Sequence, residues 1–256
     1  MKLVFDVGNT AMKGALFSDG DLVSAGRIEC ESAASGDGLE SAIRSIAGAN
    51  HIRRVGCVSV VPAATERLSR VIRSVFGQRL EVLTTRSISP VVVEYLTPET
   101  LGMDRLAAAV AAREMYGKHG GVSERSVLVI DAGTSTTFDV VSADGRYRGG
   151  AIAPGPGLIR SALHSGTAQL PLVDLMAPES PLGRSTDEAI RSGVMFGYLG
   201  AVEGIAARLR QEMTEPVAVV VTGGWGELVG RHLSGITAVD PHLVLHGVRI
   251  MLDLAG

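Results

Sequence analysis

Leu3 to Phe17 reads LVFDVGNTAMKGALF. An apolar run ends in a carboxylate, Asp6. Gly8, Asn9 and Thr10 follow, and the chain then turns apolar again. The pattern predicts a strand, a tight turn and a second strand. A glycine turn at a strand end lets backbone N–H groups close in on an anion, and the neighbouring amide and hydroxyl add donors. A carboxylate beside it suits a cation, held directly or through water. Read alone, Asp-x-Gly is equally well a turn and nothing more.

The stretch has an echo. Val127 to Val141 reads VLVIDAGTSTTFDVV, with Asp131, Gly133 and Thr134 in the same places. Asp19-Gly20 lies 13 and 14 residues after Asp6, and Asp144-Gly145 lies 13 and 14 residues after Asp131. Asp-Gly between apolar runs is a hairpin signal. Both halves therefore read strand, glycine turn, strand, hairpin, strand. Each continues with a buried-type strand and a helix: VGCVSVV (Val55 to Val61) then Ala63 to Val75, and VAVVVTGG (Val217 to Gly224) then Glu227 to His232. Continuous β-branched runs suit a sheet covered on both faces. The expectation is a duplicated α/β chain with halves at 1–118 and 119–256, divided near the turn-rich Gly117 to Ser123. An insertion without a counterpart occupies 155–193. Two copies with matched spacing favour a binding role for the turns, since α/β proteins place their sites on loops at strand ends.

Composition narrows the partners. The net charge is -3, with no long Lys/Arg run, which argues against nucleic acid or an anionic membrane as the main partner. Cys30 and Cys57 form neither a CxxC pair nor a disulfide framework, which fits a reducing cytoplasm. The opening residues do not resemble a secretory signal, and no apolar run is long enough for a bilayer. His242 and His246 have helical spacing without the acidic residue that a metalloprotease pair carries. No phosphate-binding G-x-x-x-x-G-K-[ST] occurs. GPGLIR at Gly155 has Arg160 where a dinucleotide fingerprint has its third glycine.

Paired aspartate–glycine turns on a duplicated α/β core resemble the ribonuclease-H-like superfamily of acetate and sugar kinases, heat-shock ATPases and actin. Within it, the chain resembles type III pantothenate kinases. The motifs that carry this are DVGNT at Asp6, TLGMDR at Thr100, DAGTSTTFD at Asp131, GGAIAPG at Gly149, GTAQLP at Gly166, GRSTDEAIRSG at Gly183 and TGG at Thr222. Each is weak alone, but their order is specific. The resemblance implies an actin-like ATPase fold with mixed five-stranded sheets. It also implies phosphorylation of pantothenate by ATP to 4'-phosphopantothenate, the first committed step of coenzyme A synthesis. It implies a cytoplasmic homodimer that uses Mg2+ with ATP and a monovalent cation, K+ or NH4+, with the substrate site at or near the dimer interface.

Residue by residue, the resemblance assigns Asp6, Val7, Gly8, Asn9, Thr10 and Lys13, with Gly133 and Thr134, to the ATP phosphates. Asp6 would also serve the divalent metal, directly or through water, and Asp131 the monovalent cation. Tyr95, Gly102, Met103, Asp104 and Arg105 would hold the substrate, with Asp104 as proton acceptor. Thr186 would reach substrate across the interface. Lys13 is a departure, because many members carry Asn or Thr and apolar residues after DVGNT, and a lysine there either reaches a phosphate or faces solvent.

The residues also have plainer readings. Asp104 opens an apolar helix expected to stop at Gly117, where a carboxylate is favoured by the helix dipole. Ser185-x-x-Glu188 is a capping box, which makes Thr186 a helix-start residue. Tyr95 reads as an ordinary strand residue, and Trp225 as packing. Gly193, Gly197, Gly200 and Gly204 fall within one helix, where glycine costs about 1 kcal/mol relative to alanine. Such a run suggests a second backbone packed closely, from the same chain or a partner. The rival functions are another small-molecule kinase of this superfamily and a non-catalytic accessory protein on the same fold.

Overall fold

The computed structural model describes residues 1–29, 36–119 and 123–255. Cys30 and part of the expected boundary region lie outside them. The chain divides into two compact units, Met1–Met115 with His242–Gly256, and Tyr116–Pro241.

The first unit holds β1 (Lys2–Val7), β2 (Ala11–Ser18), β3 (Asp21–Glu29), β4 (Arg54–Ser59) and β5 (Leu80–Val82), in the sheet order β3-β2-β1-β4-β5. β1 pairs antiparallel with β2 and parallel with β4. Period-two alternation sorts the side chains. Leu3, Phe5 and Val7 enter a core with Leu16, Val55 and Cys57. That core is closed by α1 (Gly36–Ala47) through Leu39, Ile43 and Ile46, and by α2 (Pro62–Phe76) through Ala64, Leu68 and Ile72. Each large apolar side chain buried there contributes roughly 1.5–3 kcal/mol. α2 starts on Pro62 and stops at Gly77, whose left-handed φ of 65° lets its N–H reach the Arg73 carbonyl at 3.1 Å.

A two-residue strand β6 (Val92–Val93) and a short 3-10 turn (Pro98–Thr100) precede α3 (Met103–Ala112). α3 is buried along its length apart from Asp104. The regular helix ends at Ala112, short of the expected Gly117, and continues as one π-helical turn, Arg113–Gly117. The C-terminal helix α7 (Leu243–Leu254) packs on α3, where a side chain at Gly247 would overlap the Ala107 carbonyl. Its His246 ring meets Phe17 edge-on at 5.2 Å. The second half therefore does not run to the chain end as expected, because α7 belongs to the first unit.

The second unit opens with the short pair β7 (Lys118–His119) and β8 (Ser123–Glu124). Then come β9 (Ser126–Ala132), β10 (Ser135–Val141), β11 (Arg146–Pro154), β12 (Val217–Thr222) and β13 (Ala238–Val239), ordered β11-β10-β9-β12-β13. β9 pairs antiparallel with β10 and parallel with β12, repeating the topology of the first unit. α4 (Pro156–Ser165), α5 (Thr186–Gln211) and α6 (Gly226–His232) complete it. Leu128, Ile130, Phe138, Val219 and Val221 pack on Tyr198, Leu199 and Val202 of α5. Among the described residues no helix is long and apolar enough to cross a membrane.

Candidate active site

Asp6 sits at the penultimate position of β1, half-buried, on the face opposite Phe5 and Val7. Gly8 donates to the Ala11 carbonyl at 3.1 Å, closing a turn in which Asn9 and Thr10 are exposed. A side chain at Gly8 would lie 3.2 Å from that carbonyl. The β1–β2 register pairs Asp6 directly with Lys13. Residues directly opposite share a sheet face with Cβ atoms about 5 Å apart. Lys13 therefore stands beside Asp6, on its side of the sheet. Cys57, on the adjacent β4, is buried, and its thiol is pushed up to about 12 by burial first and by Asp6 second. It is inert at neutral pH.

Asp131 occupies the matching position of β9, paired with Thr137 on β10 and Thr222 on β12. Its turn is shorter: Gly133 donates to the Ser135 carbonyl at 3.1 Å, and Thr134 is exposed. Two further glycines crowd this turn. Gly155 donates to the Thr134 carbonyl at 3.0 Å, and a Cβ there would come within 2.3 Å of the Gly133 carbonyl. Gly223, at φ 92°, has room for no side chain: a Cβ would lie 2.4 Å from Asp131 Oδ1 and 2.5 Å from the Ala132 carbonyl. The GGAIAPG and TGG motifs thus shape the second turn. Trp225 donates its backbone N–H to Ala132 at 2.8 Å while its ring packs, partly buried, at the edge of the core.

Behind this turn lies a polar group that sequence reading missed. Thr137 Oγ1 and Tyr147 Oη both donate to the buried Asp139, at 3.1 and 2.5 Å. The signal was present in the period-two spacing of Thr137 and Asp139, on the face of Asp131. On the other face Tyr198 Oη bonds Thr136 Oγ1 at 2.9 Å. Burial raises the pKa of that phenol; the Thr136 bond works against this, and the Asp131 charge adds to it.

The substrate-loop residues fall in the first unit. Gly102 is the N-cap of α3 and offers no side-chain cap. Asp104 folds back over it: Oδ1 accepts the Arg105 N–H at 2.9 Å, and a Cβ on Gly102 would collide with that oxygen. The dipole-favoured position expected for Asp104 is thus present. Met103 and Arg105 are buried. Tyr95 is half-buried in a loop, not on a strand, because β6 ends at Val93.

Thr186 opens α5 in the second unit and is exposed. The capping box forms with a shift: Ser185 Oγ accepts from Glu188 at 3.2 Å, while Glu188 Oε2 accepts from the backbone of Arg184, not Ser185, at 2.7 Å. The insertion packs beside this helix start, with Ser192 Oγ donating to Pro181 at 2.6 Å. Among the described residues, side chains at Gly193, Gly197 and Gly200 would meet nothing, so no neighbour in the same chain accounts for these glycines. A cavity of about 470 Å³ opens at the start of β9, lined by Ser126, Arg148, Glu212 and Glu215. It lies at the far end of that strand from Asp131, roughly 17 Å along β9 at about 3.3 Å per residue.

The family model for type III pantothenate kinase matches residues 2–208. The chain belongs to the type III pantothenate kinase family. It is 39% identical to the type III pantothenate kinase of Desulfosudis oleivorans, covering 98% of both chains. It is 34% identical to that of Moorella thermoacetica, covering 99% of both. Among solved structures it is similar to a conserved putative Baf family transcriptional activator from Campylobacter jejuni, with a TM-score of 0.59, 17% identity and 98% of both chains covered. It is also similar to an inorganic polyphosphate/ATP-glucomannokinase from Arthrobacter, with a TM-score of 0.52, 14% identity and 99% and 98% covered. At these identities the solved structures establish the fold alone, in agreement with the duplicated ribonuclease-H-like fold expected from the sequence.

Proposed function

We infer that this chain is an ATP-dependent pantothenate kinase that makes 4'-phosphopantothenate in coenzyme A synthesis. The observation that carries the reading is the family match along most of the chain, with the family's motifs falling on strand-end turns and a helix start. The roles of single residues are proposals.

In the first unit, Asp6 to Thr10 and Lys13 contact the ATP phosphates, and Asp6 serves the Mg2+ carried by ATP, directly or through water. The neighbouring Asp6 and Lys13 side chains form a pair of no net charge beside a turn rich in donors, which suits an anion. In the second unit, Gly133 and Thr134 contact phosphate, and Asp131 holds the monovalent cation. Asp131 pairs with the uncharged Thr137 and Thr222. A carboxylate beside two threonines offers oxygen ligands, the kind that fits a hard cation such as K+. When bound, the cation supplies positive charge beside the transferring phosphoryl group.

Asp104 accepts the proton of the pantothenate hydroxyl. Phosphoryl transfer through a loose transition state demands positioning more than base strength, and the bond to its own helix start orients this carboxylate. Tyr95, Gly102, Met103 and Arg105 form the substrate loop. The guanidinium of Arg105 suits the pantothenate carboxylate.

The homodimer and the cytoplasm are part of the same proposal. The glycine face of α5, with the exposed Phe196 next to Gly197 in the same helix, is open enough for a second helix to approach closely, and Thr186 begins α5. Gly197→Glu is expected to yield monomers by light scattering.

The deciding experiment is turnover on a panel of alcohol acceptors with ATP. Pantothenate as the preferred acceptor is expected. Turnover of a sugar or small acid, with none of pantothenate, would sink the assignment.

A further inference from the structure

The chain carries a net charge of -3, yet one cleft of the first unit is cationic. It has a volume of about 600 Å³ and is lined by Arg53, Arg54 and Arg79, with Gln78, Glu81 and Val82. Three arginines thus share a single carboxylate, and that carboxylate is taken. Arg54 Nε donates to Glu81 Oε1 at 2.9 Å and Arg54 Nη2 to Glu81 Oε2 at 2.7 Å. Both oxygens of Glu81 are committed to one guanidinium. Arg53 and Arg79 are exposed, and among the described residues neither guanidinium has an ion pair or a hydrogen bond.

Strand pairing brings these cations together. β4 and β5 are parallel, and their ladder starts at Val55 and Leu80. Arg54 and Arg79 immediately precede that pair, on neighbouring backbones about 4.8 Å apart, and Arg53 is next in the chain. Gln78 ties the second segment to the first, because its Nε2 donates to the Ile52 carbonyl at 3.2 Å. Like charges held side by side repel, and a bound anion relieves that repulsion. The cleft lies away from the first glycine turn. β1 pairs Lys2 with Arg54 and Asp6 with Val58, so four residues of strand, about 13 Å at roughly 3.3 Å each, separate Arg54 from the level of Asp6.

A doubly charged phosphate suits two free guanidiniums, whose planar forks match its oxygens. Val82 is exposed at the wall of the cleft and offers apolar surface to the rest of an organic molecule. We propose that this cleft binds the phosphate group of a small organic phosphate ester through Arg53 and Arg79, at a site separate from the strand-end turns.

The test is isothermal titration in low-salt buffer without ATP, with phenyl phosphate and inorganic phosphate as probes. Phenyl phosphate is expected to bind the more tightly. Arg53→Gln and Arg79→Gln, both at exposed positions, are each expected to weaken it about tenfold, the scale of lost charge-assisted bonds. Glu81→Gln is expected to tighten it, because it releases the fork of Arg54. Arg70→Gln, at an exposed position of α2 outside the cleft, is expected to change nothing. The double variant Arg53→Gln/Arg79→Gln is expected to keep the wild-type kcat and KM for ATP, which separates the cleft from the phosphate turns. Wild-type affinity for phenyl phosphate in the double variant would overturn the site. An equal loss in Arg70→Gln and Arg79→Gln would do the same, since it would reduce the binding to unspecific charge. Equal affinity for the two probes would overturn the ester and leave free phosphate as the ligand.

Discussion

The turn after Asp6 and the turn after Asp131 come from one repeat and are built differently. The first closes from Gly8 to Ala11, the second from Gly133 to Ser135, one residue shorter. The first pairs its aspartate with a lysine, the second with a threonine. Gly155 and Gly223 press against the second, where side chains would collide with its carbonyls and its carboxylate. The strand scaffold of the repeat is common to both units, so the differences lie where a ligand would be met. The cross-strand neighbour is the clearest difference, a charged lysine in one turn and an uncharged threonine in the other. The proposed function assigns these two turns to an anion and a cation on one sheet design.

Four measurements would break or sharpen this contrast. Asp104 belongs to neither turn, so Asp104→Asn should lower kcat by about 10²–10⁴-fold and leave ATP affinity and the half-saturating K+ concentration in place. An equal fall in ATP affinity would mean that the substrate loop and the turns do not act separately. Gly223→Ala should destabilise the protein by roughly 1–3 kcal/mol in urea unfolding, since the new methyl meets backbone at a strained φ. Gly8→Ala, with a gentler approach to one carbonyl, should cost less, and equal losses would erase the steric distinction between the turns.

Lys13→Met should weaken ATP binding about tenfold, the scale of one charge-assisted hydrogen bond, with the K+ response unchanged. An unaltered ATP affinity would make Lys13 a companion of Asp6 and nothing more. The last measurement is of pH. The Cys57 thiol of the first unit and the Tyr116 phenol of the second are each pushed up to about 12, both by burial first. Tyr116 also donates to Asp240 at 3.2 Å. Raised folded-state values mean that stability is full below the unfolded values and falls as pH rises toward 12. The fall should begin near pH 9 for the thiol and near pH 10 for the phenol. Cys57→Ala should remove the earlier onset, and a melting temperature flat from pH 8 to 11 would contradict both.

Much of the fold was legible because its signals are local. Asp19 and Gly20 both adopt positive φ, 50° and 101°, as a two-residue hairpin requires. Asp144-Gly145 also makes a hairpin, but a longer one, with Asp144 bonded to Ser142 and Arg146 and the register slipping at Val140. Ser185 caps α5 as its pattern implies. The π-helical turn at Arg113–Gly117 was not legible, because Arg113 to Tyr116 carry no Gly or Pro and read as unbroken helix up to Gly117. Nor was the half-buried loop position of Tyr95, since PVVVEY has the composition of a strand.

By itself the sequence determined the duplication, the two aspartate turns and the family, because each rests on short stretches whose spacing is preserved in the chain. It left Lys13 undecided between phosphate and solvent. Only the tertiary structure decided that Lys13 stands beside Asp6, that Thr137 stands beside Asp131, and that α7 returns to the first unit. Pairing register and long-range packing join residues far apart in the chain, and no local pattern states which partners they will meet. The open glycine face of α5 has the same origin: spacing suggested a close neighbour, and only packing revealed that the described chain supplies none.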